Sequence, residues 1–303
     1  MTLSWPALVA AVCGASLTAQ TPVFRSRIDA VRLDVSVTEH NQAVPGLTAN
    51  DFVVTDNGVR EDVVSAELDP APLSILLALD TSASMEGEKL RQLVGAATEL
   101  VDSLRDEDRA AIVGFSHEIN IEVMLTADRS RLEQALASLR ARGATALRDA
   151  LYATLQVRPQ DDSRPVLLLF TDGEDTGSWL TEPETLDAVR RSGVTIETID
   201  IREILPRWLT VSGNASRRAA AGSRFLEQVA DVSGGRRWSG NSSRDLHNLF
   251  SRALADMRAR YVLTFYPRGV SSPGWHKLEV KLKKGSADVH TRPGYFVANR
   301  SPE

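Results

Sequence analysis

The chain has 303 residues, of which 43% are hydrophobic and 25% charged, and its formal net charge is −5 at pH 7. This length allows one sizeable hydrophobic core and a smaller second domain, and the composition is ordinary for a soluble globular protein. The acidic balance argues against a general binder of nucleic acid or of anionic membranes, because such proteins need a basic surplus.

The first predicted element is a signal peptide over residues 1–19. An uncharged apolar stretch from Trp5 to Leu17 is short for a membrane span but has the length of a signal-peptide core, and small residues follow it. The single cysteine, Cys13, lies inside this stretch, so a processed chain would have no disulfide and no thiolate metal site. We expect an exported protein, secreted or periplasmic, with no integral membrane segment after signal removal. The competing interpretation is a buried N-terminal helix.

Residues 20–72 are predicted to form a β segment. The run VRLDVSVTE alternates apolar and polar residues, as a half-buried strand does, and Asn57-Gly58 between two β-prone runs is typical of a hairpin. Residues 259–303 return to the same alternation, for example in HKLEVKLKK. Because neither terminal segment is long enough to form a stable core alone, we expect the two to pair into one β-sandwich-like module.

Between these segments, residues 73–258 alternate short apolar runs with amphipathic helical runs. SILLALD and RPVLLLFTD are apolar on both faces, as central strands of a parallel sheet are. The alternation predicts a doubly wound α/β fold with a mostly parallel sheet and helices on both faces. The arginine-rich segment 202–224, which contains Trp208, breaks this pattern. We interpret it as a surface loop before the next helix, with a partner-binding loop as the alternative.

Oxygen-bearing side chains follow two strands of the predicted sheet. Asp80, Ser82 and Ser84 alternate directly after SILLAL, Asp172 follows VLLLF, and Thr145 stands between them where a helix opens. Open α/β sheets bind ligands at the carboxyl ends of their strands. Two carboxylates and three hydroxyls suit a hard cation and leave its ligand shell incomplete. The sequence therefore predicts a divalent-cation site, for Mg²⁺ first and Mn²⁺ or Ca²⁺ as alternatives, open to an acidic side chain of a protein partner.

Three further residues are expected beside this site. Asp149 follows Thr145 by about one helical turn and could brace the Thr145 loop or the waters around a metal. Gly173 permits close approach of the backbone, and Glu174 could tune the charge of the site. For both acids the alternative is a solvated surface position, and for Ser84 it is capping of the following helix.

Together, DTSASM, GAT and FTDG, in this order and at these strand ends, resemble the metal-ion-dependent adhesion site (MIDAS) of the von Willebrand factor type A (VWA) domain. The likeness covers residues 73–258. It implies that Ser82, Ser84 and Thr145 are direct or near-direct ligands and that Asp80 and Asp172 bind the metal directly or through water. All five positions match the pattern.

The flanking segments extend the resemblance. VPGLTANDFVVTDNG and YVLTFYP are similar to segments of an exported bacterial group, the VWFA-related Acidobacterial domain proteins, and this likeness covers nearly the whole mature chain. It implies a secreted or periplasmic bacterial module.

The favoured function is non-enzymatic, metal-dependent protein–protein binding or adhesion. One alternative is a structural or assembly component of the cell envelope whose metal site is not essential. A Mg²⁺-dependent phosphohydrolase of the haloacid dehalogenase type would need a carboxylate where the chain has Ser82. A serine hydrolase is disfavoured because the chain has no Gly-x-Ser-x-Gly turn. In addition, the neighbours Ser116 and His117 at a strand end are expected to point to opposite sides.

Overall fold

The computed structural model describes residues 30–297, apart from 41, 70, 160, 162, 173, 202–212 and 269–272. The predicted signal peptide, Gly173 and Trp208 therefore lie outside the described residues.

The described residues form three sheets and six α-helices. In chain order the strands are β1 (Val31–Glu39), β2 (Gln42–Ala43), β3 (Phe52–Asp56), β4 (Val59–Glu61), β5 (Val63–Leu68), β6 (Leu73–Asp80), β7 (Arg109–Phe115), β8 (Ile119–Thr126), β9 (Arg164–Thr171), β10 (Thr195–Ile201), β11 (Arg237–Gly240), β12 (Arg260–Phe265), β13 (Gly274–Leu282), β14 (Asp288–Thr291) and β15 (Gly294–Val297). The helices are α1 (Glu88–Asp102), α2 (Arg129–Ser138), α3 (Leu147–Gln156), α4 (Glu182–Ser192), α5 (Gly213–Ser233) and α6 (Leu246–Arg258).

The central sheet has the order β11-β10-β9-β6-β7-β8. All neighbours are parallel except the edge strand β8, which runs antiparallel to β7. All eight residues of β6 are buried. Its side chains alternate between two cores: Ile75 and Leu77 pack with α1 and α6, whereas Leu76 and Ala78 pack with α3 and α5. This confirms the doubly wound α/β fold, because a sheet covered on both faces needs strands that are apolar on both faces.

The strand order creates a crevice at the carboxyl end of β6. The chain leaves β6 through α1 towards β7, and it leaves the neighbouring strand β9 through α4 towards β10 on the other side. Where the connections of two neighbouring strands run in opposite directions a crevice opens, which is where open α/β sheets bind ligands. The loops that follow β6 and β9 border it.

The two terminal segments form one β-sandwich, as the sequence predicts. Strand β1 pairs antiparallel with β12 and β14, and β3 pairs with β13, so each sheet combines strands from both ends of the chain. Side chains of both sheets share one core, which includes Leu33, Phe52, Tyr261 and Leu278.

A buried ionic network joins this sandwich to the α/β domain. Arg260, at the start of β12, is fully buried, and its Nη2 donates to Glu197 Oε1 (2.7 Å) and to Asp256 Oδ2 (2.9 Å). Trp238 Nε1 donates to Glu197 Oε2 (2.7 Å), and the Ser36 hydroxyl of β1 donates to Asp256 Oδ1 (2.8 Å). The network therefore connects residues of β10, β11, α6, β1 and β12.

The prediction of a loop over residues 202–224 is wrong for its second half. Helix α5 begins at Gly213, well before the predicted start near Phe225. Alanine and arginine are strong helix formers, and the run RRAAA outweighs the serines and glycines around it. Residues 202–212 lie outside the described residues.

Candidate metal centre

Asp80, the last residue of β6, is fully buried at the carboxyl edge of the central sheet. Its Oδ1 accepts from the Ser82 amide (2.8 Å), and its Oδ2 accepts from the Thr171 hydroxyl (2.7 Å). The pKa of Asp80 is raised from 3.8 to about 6. The larger cause is burial, and the smaller is the nearby charge of Asp172. The ionised carboxylate is thus held by neutral donors and opposed by a second acid.

Asp172 directly follows β9, which lies beside β6 with Phe170 opposite Leu79. Its Oδ1 is buried and has no hydrogen-bond partner among the described residues. Within that same part of the chain, no ion pair joins Asp80 or Asp172 to a basic side chain. A buried carboxylate oxygen without a donor is costly, and a bound cation would compensate both acids.

The Asp80 loop brings the two predicted serine ligands together. Ser82 Oγ and Ser84 Oγ share a hydrogen bond of 3.0 Å; Ser82 is buried and Ser84 is exposed. Ser84 lies within a short 3₁₀ turn, Ala83–Met85, and does not cap α1, which begins at Glu88 after Gly87. The capping alternative is therefore wrong. Gly87 has φ 80° and ψ −122°, a conformation open essentially only to glycine.

The loop that carries Thr145 is attached to the Asp80 loop through its backbone. The Ala83 amide donates to Gly143 O (2.9 Å), and the Arg142 amide donates to Thr81 O (2.8 Å). Gly143 has φ 74°, and a Cβ placed there would lie 1.9 Å from Nδ1 of His117. Glycine adopts this backbone conformation without strain, and any larger residue would have to displace the His117 ring from its position.

The loop after β9 holds Thr145 from the other side. The amides of Thr176 and Gly177 both donate to Thr145 O (2.9 Å), and the Thr145 amide donates to Thr176 Oγ1 (3.0 Å). Thr145 itself is buried. The structure thus brings the three predicted motifs to one edge of the sheet, and their ligation of a metal stays a prediction.

Of the three predicted supporting residues, the structure describes the surroundings of Asp149 and Glu174. Asp149 does not reach the Thr145 loop: its Oδ2 accepts from the Trp179 amide and its Oδ1 from the Leu180 amide, both at 2.9 Å. Asp149 binds these amides because the loop after β9 places them beside the first turn of α3, where Asp149 lies. Glu174 is half-buried and lines a cavity of about 400 Å³ together with Arg148 and Phe225. Gly173 lies outside the described residues.

Two contacts at this edge were not anticipated. Thr171, the last residue of an apolar strand, binds Asp80, and its hydroxyl at a strand end was the available signal. Ser116 and His117 do not point to opposite sides, because Ser116 Oγ and His117 Nδ1 are 3.3 Å apart. Strand β7 ends at Phe115, so the alternation of a strand does not extend to these two residues.

Residues 75–174 match the family model for the von Willebrand factor type A domain. The chain contains a VWA domain. An uncharacterized protein of Synechocystis is 33% identical over 108 residues, which cover 34% of this chain and 26% of that protein. Human inter-alpha-trypsin inhibitor heavy chain H2 is 27% identical over 122 residues, covering 36% of this chain and 13% of that protein. The chain therefore spans about a quarter or less of the length of these relatives.

Solved structures agree with the VWA fold. A von Willebrand factor type A protein from Catenulispora acidiphila has a TM-score of 0.51 at 16% identity and covers 86% of this chain and 76% of its own. Proximal thread matrix protein 1 from the mussel byssus, with a zinc-occupied MIDAS motif, has a TM-score of 0.51 at 18% identity, covering 65% of this chain and 48% of its own. At these identities the likeness shows the fold alone. The wider resemblance to the Acidobacterial group stays a prediction.

Within the described part of the chain, no helix combines the length and the apolar character needed to cross a membrane.

Proposed function

We propose that this VWA protein is exported, secreted or periplasmic, and binds a partner protein through a divalent cation without catalysing a reaction. The observation that carries the proposal is the buried Asp172 Oδ1, which lacks a hydrogen-bond partner among the described residues, next to the fully buried Asp80. Export is supported by the sequence alone, through the apolar stretch from Trp5 to Leu17 that has the length of a signal-peptide core.

The side chains present fit a hard cation. Asp80 and Asp172 would supply charge, and Ser82, Ser84 and Thr145 would supply neutral oxygens, a set suited to Mg²⁺ first and to Mn²⁺ or Ca²⁺ as alternatives. When bound, a cation with this incomplete set would supply an electrophilic position for a carboxylate oxygen of the partner. The mussel protein holds zinc in its MIDAS motif, which supports a cation at the corresponding edge of this chain.

The residues around the site do not favour hydrolysis. Ser82 occupies the position where a phosphohydrolase of the haloacid dehalogenase type needs its second carboxylate. Ser116 contacts His117, but Ser116 is only 2% exposed, so its hydroxyl is a poor nucleophile for a substrate in solvent. These two observations favour binding over catalysis.

Calorimetric titration tests the metal site. After removal of metals with EDTA, we expect Mg²⁺ and Mn²⁺ to bind wild type at one equivalent and to give no detectable binding with Asp80→Ala. Asp102→Asn, which removes one negative charge at an exposed position of α1, should bind like wild type. Equal binding by wild type and Asp80→Ala, or none by either, would contradict the proposal.

Capture of a partner tests the binding role. Bound to a resin, the protein should retain a partner from the native cell envelope in Mg²⁺ and release it in EDTA. Retention that is equal in both conditions would instead support a structural or assembly role with a non-essential metal site.

A further inference from the structure

Trp179, on the loop between β9 and α4, is 95% exposed, more than any other large hydrophobic side chain that the structure describes. Scattered exposed apolar residues are common, but an almost fully exposed tryptophan leaves a large apolar area in water. Trp179 lies on the loop that also borders the candidate metal centre.

The backbone that carries Trp179 is held in place. Its own amide and that of Leu180 donate to the two oxygens of Asp149, each at 2.9 Å. One residue earlier, the Ser178 amide and hydroxyl donate to Asp175 (3.0 and 2.6 Å). A side chain presented by an ordered backbone loses less conformational freedom on binding than one on a mobile loop, so Trp179 is well placed to contribute affinity.

The same loop borders the candidate metal centre. Gly177, two residues before Trp179, donates its amide to Thr145 O (2.9 Å), and Thr176 makes the same contact. Beyond the Thr145 loop the opposite rim is polar: Arg142 and Glu118 form an exposed ion pair (2.6 Å) beside His117. Of these two described parts of the rim, the loop that carries Trp179 therefore offers an apolar contact and the other offers charged groups.

We infer that Trp179 is a specificity-determining contact for the partner, and that the partner presents an acidic side chain with an apolar side chain close to it in sequence. This inference rests on the proposed function, because the acid would occupy the open position of the metal. The apolar side chain would then lie against the indole, whose Nε1 can donate to a main-chain carbonyl of the partner. Tryptophan is enriched among the residues that dominate interface affinity, because one side chain buries a large area with few rotatable bonds.

The test is selection of random peptides displayed on phage against the full chain, in Mn²⁺ and in EDTA. Wild type should select peptides, lost in EDTA, that contain Asp or Glu with an apolar residue within about three positions. Trp179→Ser should retain the selection for the acid, lose the apolar preference, and bind the wild-type peptides about tenfold more weakly or worse. Tyr266→Ser, which removes another exposed aromatic side chain in the β-sandwich, should select as wild type does.

Calorimetry separates the possible failures. Trp179→Ser should bind Mn²⁺ as wild type does, which shows that its metal centre is intact. Selection of acids without an apolar neighbour, with Lys or Arg as the neighbour, or with an apolar preference that persists in Trp179→Ser would overturn this inference and leave the metal-dependent binding in place. If wild type selects no EDTA-sensitive peptide while it binds Mn²⁺, partner binding through the metal fails, and the inference fails with it.

Discussion

Two groups of acids with buried carboxylate oxygens lie on or beside the central sheet, and they differ in how their charge is compensated. At the carboxyl edge, Asp80 accepts from the Ser82 amide and the Thr171 hydroxyl, which are neutral donors, and Asp172 has a buried oxygen without a donor among the described residues. At the junction with the sandwich, Glu197 and Asp256 are both bound by the fully buried Arg260. Both groups hold carboxylate oxygens that are removed from water, but in the described part of the chain only the second group contains a basic side chain.

This difference separates a binding site from a structural connection. Charged groups are buried stably when the protein provides opposite charges and hydrogen bonds for them. Asp200, close to the same carboxyl edge on β10, follows this rule, because Arg237 binds its carboxylate (2.8 Å). Asp80 and Asp172 are exceptions to it, and an exception of this kind is expected where an external cation completes the charge balance.

The largest effect is expected at the junction. Arg260→Leu should lower the free energy of unfolding by about 3–5 kcal/mol, because it leaves Glu197 and Asp256 without the cation that both of them bind. Arg268→Leu is the matched control, since Arg268 pairs with Asp62 at the surface, and it should change stability by less than about 0.5 kcal/mol. Urea denaturation measures both. A loss below about 1 kcal/mol for Arg260→Leu would show that the junction does not depend on charge compensation.

At the metal centre we expect that removing a charge stabilises the fold, whereas at the junction it destabilises the fold. In EDTA, Asp80→Asn should raise the free energy of unfolding by about 1–3 kcal/mol, because the raised pKa of Asp80 reports that its ionised form is disfavoured in the metal-free fold. Asp102→Asn should leave stability unchanged within about 0.5 kcal/mol. Destabilisation by Asp80→Asn of the size expected for Arg260→Leu would remove the distinction between the two groups of acids.

A glycine pair tests how tightly the Thr145 loop is held. Gly46→Ala and Gly143→Ala introduce a side chain at similar φ angles, 78° and 74°. Backbone strain should therefore lower the free energy of unfolding of both variants by about 1–2 kcal/mol. For Gly143→Ala the free energy of unfolding should fall by about 1 kcal/mol more, and Mn²⁺ should bind more weakly, because the new Cβ displaces the His117 ring. The double variant His117→Ala, Gly143→Ala should recover the additional loss. Equal stability of the two single alanine variants would show that the packing against His117 is not tight.

The smallest effect concerns pH. The folded-state pKa of Asp80, about 6, is above its ordinary value of 3.8, so in the metal-free protein its stabilising contribution is complete below about pH 4 and is lost as the pH rises through about 6. A metal binds the ionised form, so Mn²⁺ affinity should fall about tenfold between pH 7 and pH 5 as Asp80 is protonated. Calorimetry at the two pH values measures the change. An affinity that does not vary would exclude Asp80 as a titrating ligand.

The sequence alone determined the features that depend on local pattern. Runs such as SILLALD are apolar at every position, which requires cover on both faces and so predicts the central strands. The alternation of Asp80, Ser82 and Ser84 after a strand places their side chains together without reference to the rest of the chain. The pairing of the terminal segments followed from their small size, because neither contains a sufficient core.

Only the tertiary structure decided which polar groups compensate one another. Nothing near Asp172 in the sequence indicates that its Oδ1 lacks a donor, because this depends on which loops surround it. Arg260 is the first residue of an apolar strand and has no local sign of burial, yet packing of the sandwich against the α/β domain encloses it completely. Asp149 likewise binds the Trp179 loop, which is 30 residues away. Charge compensation is a property of neighbours in space, so local periodicity identifies the acids and the fold determines which of them remain open to a cation.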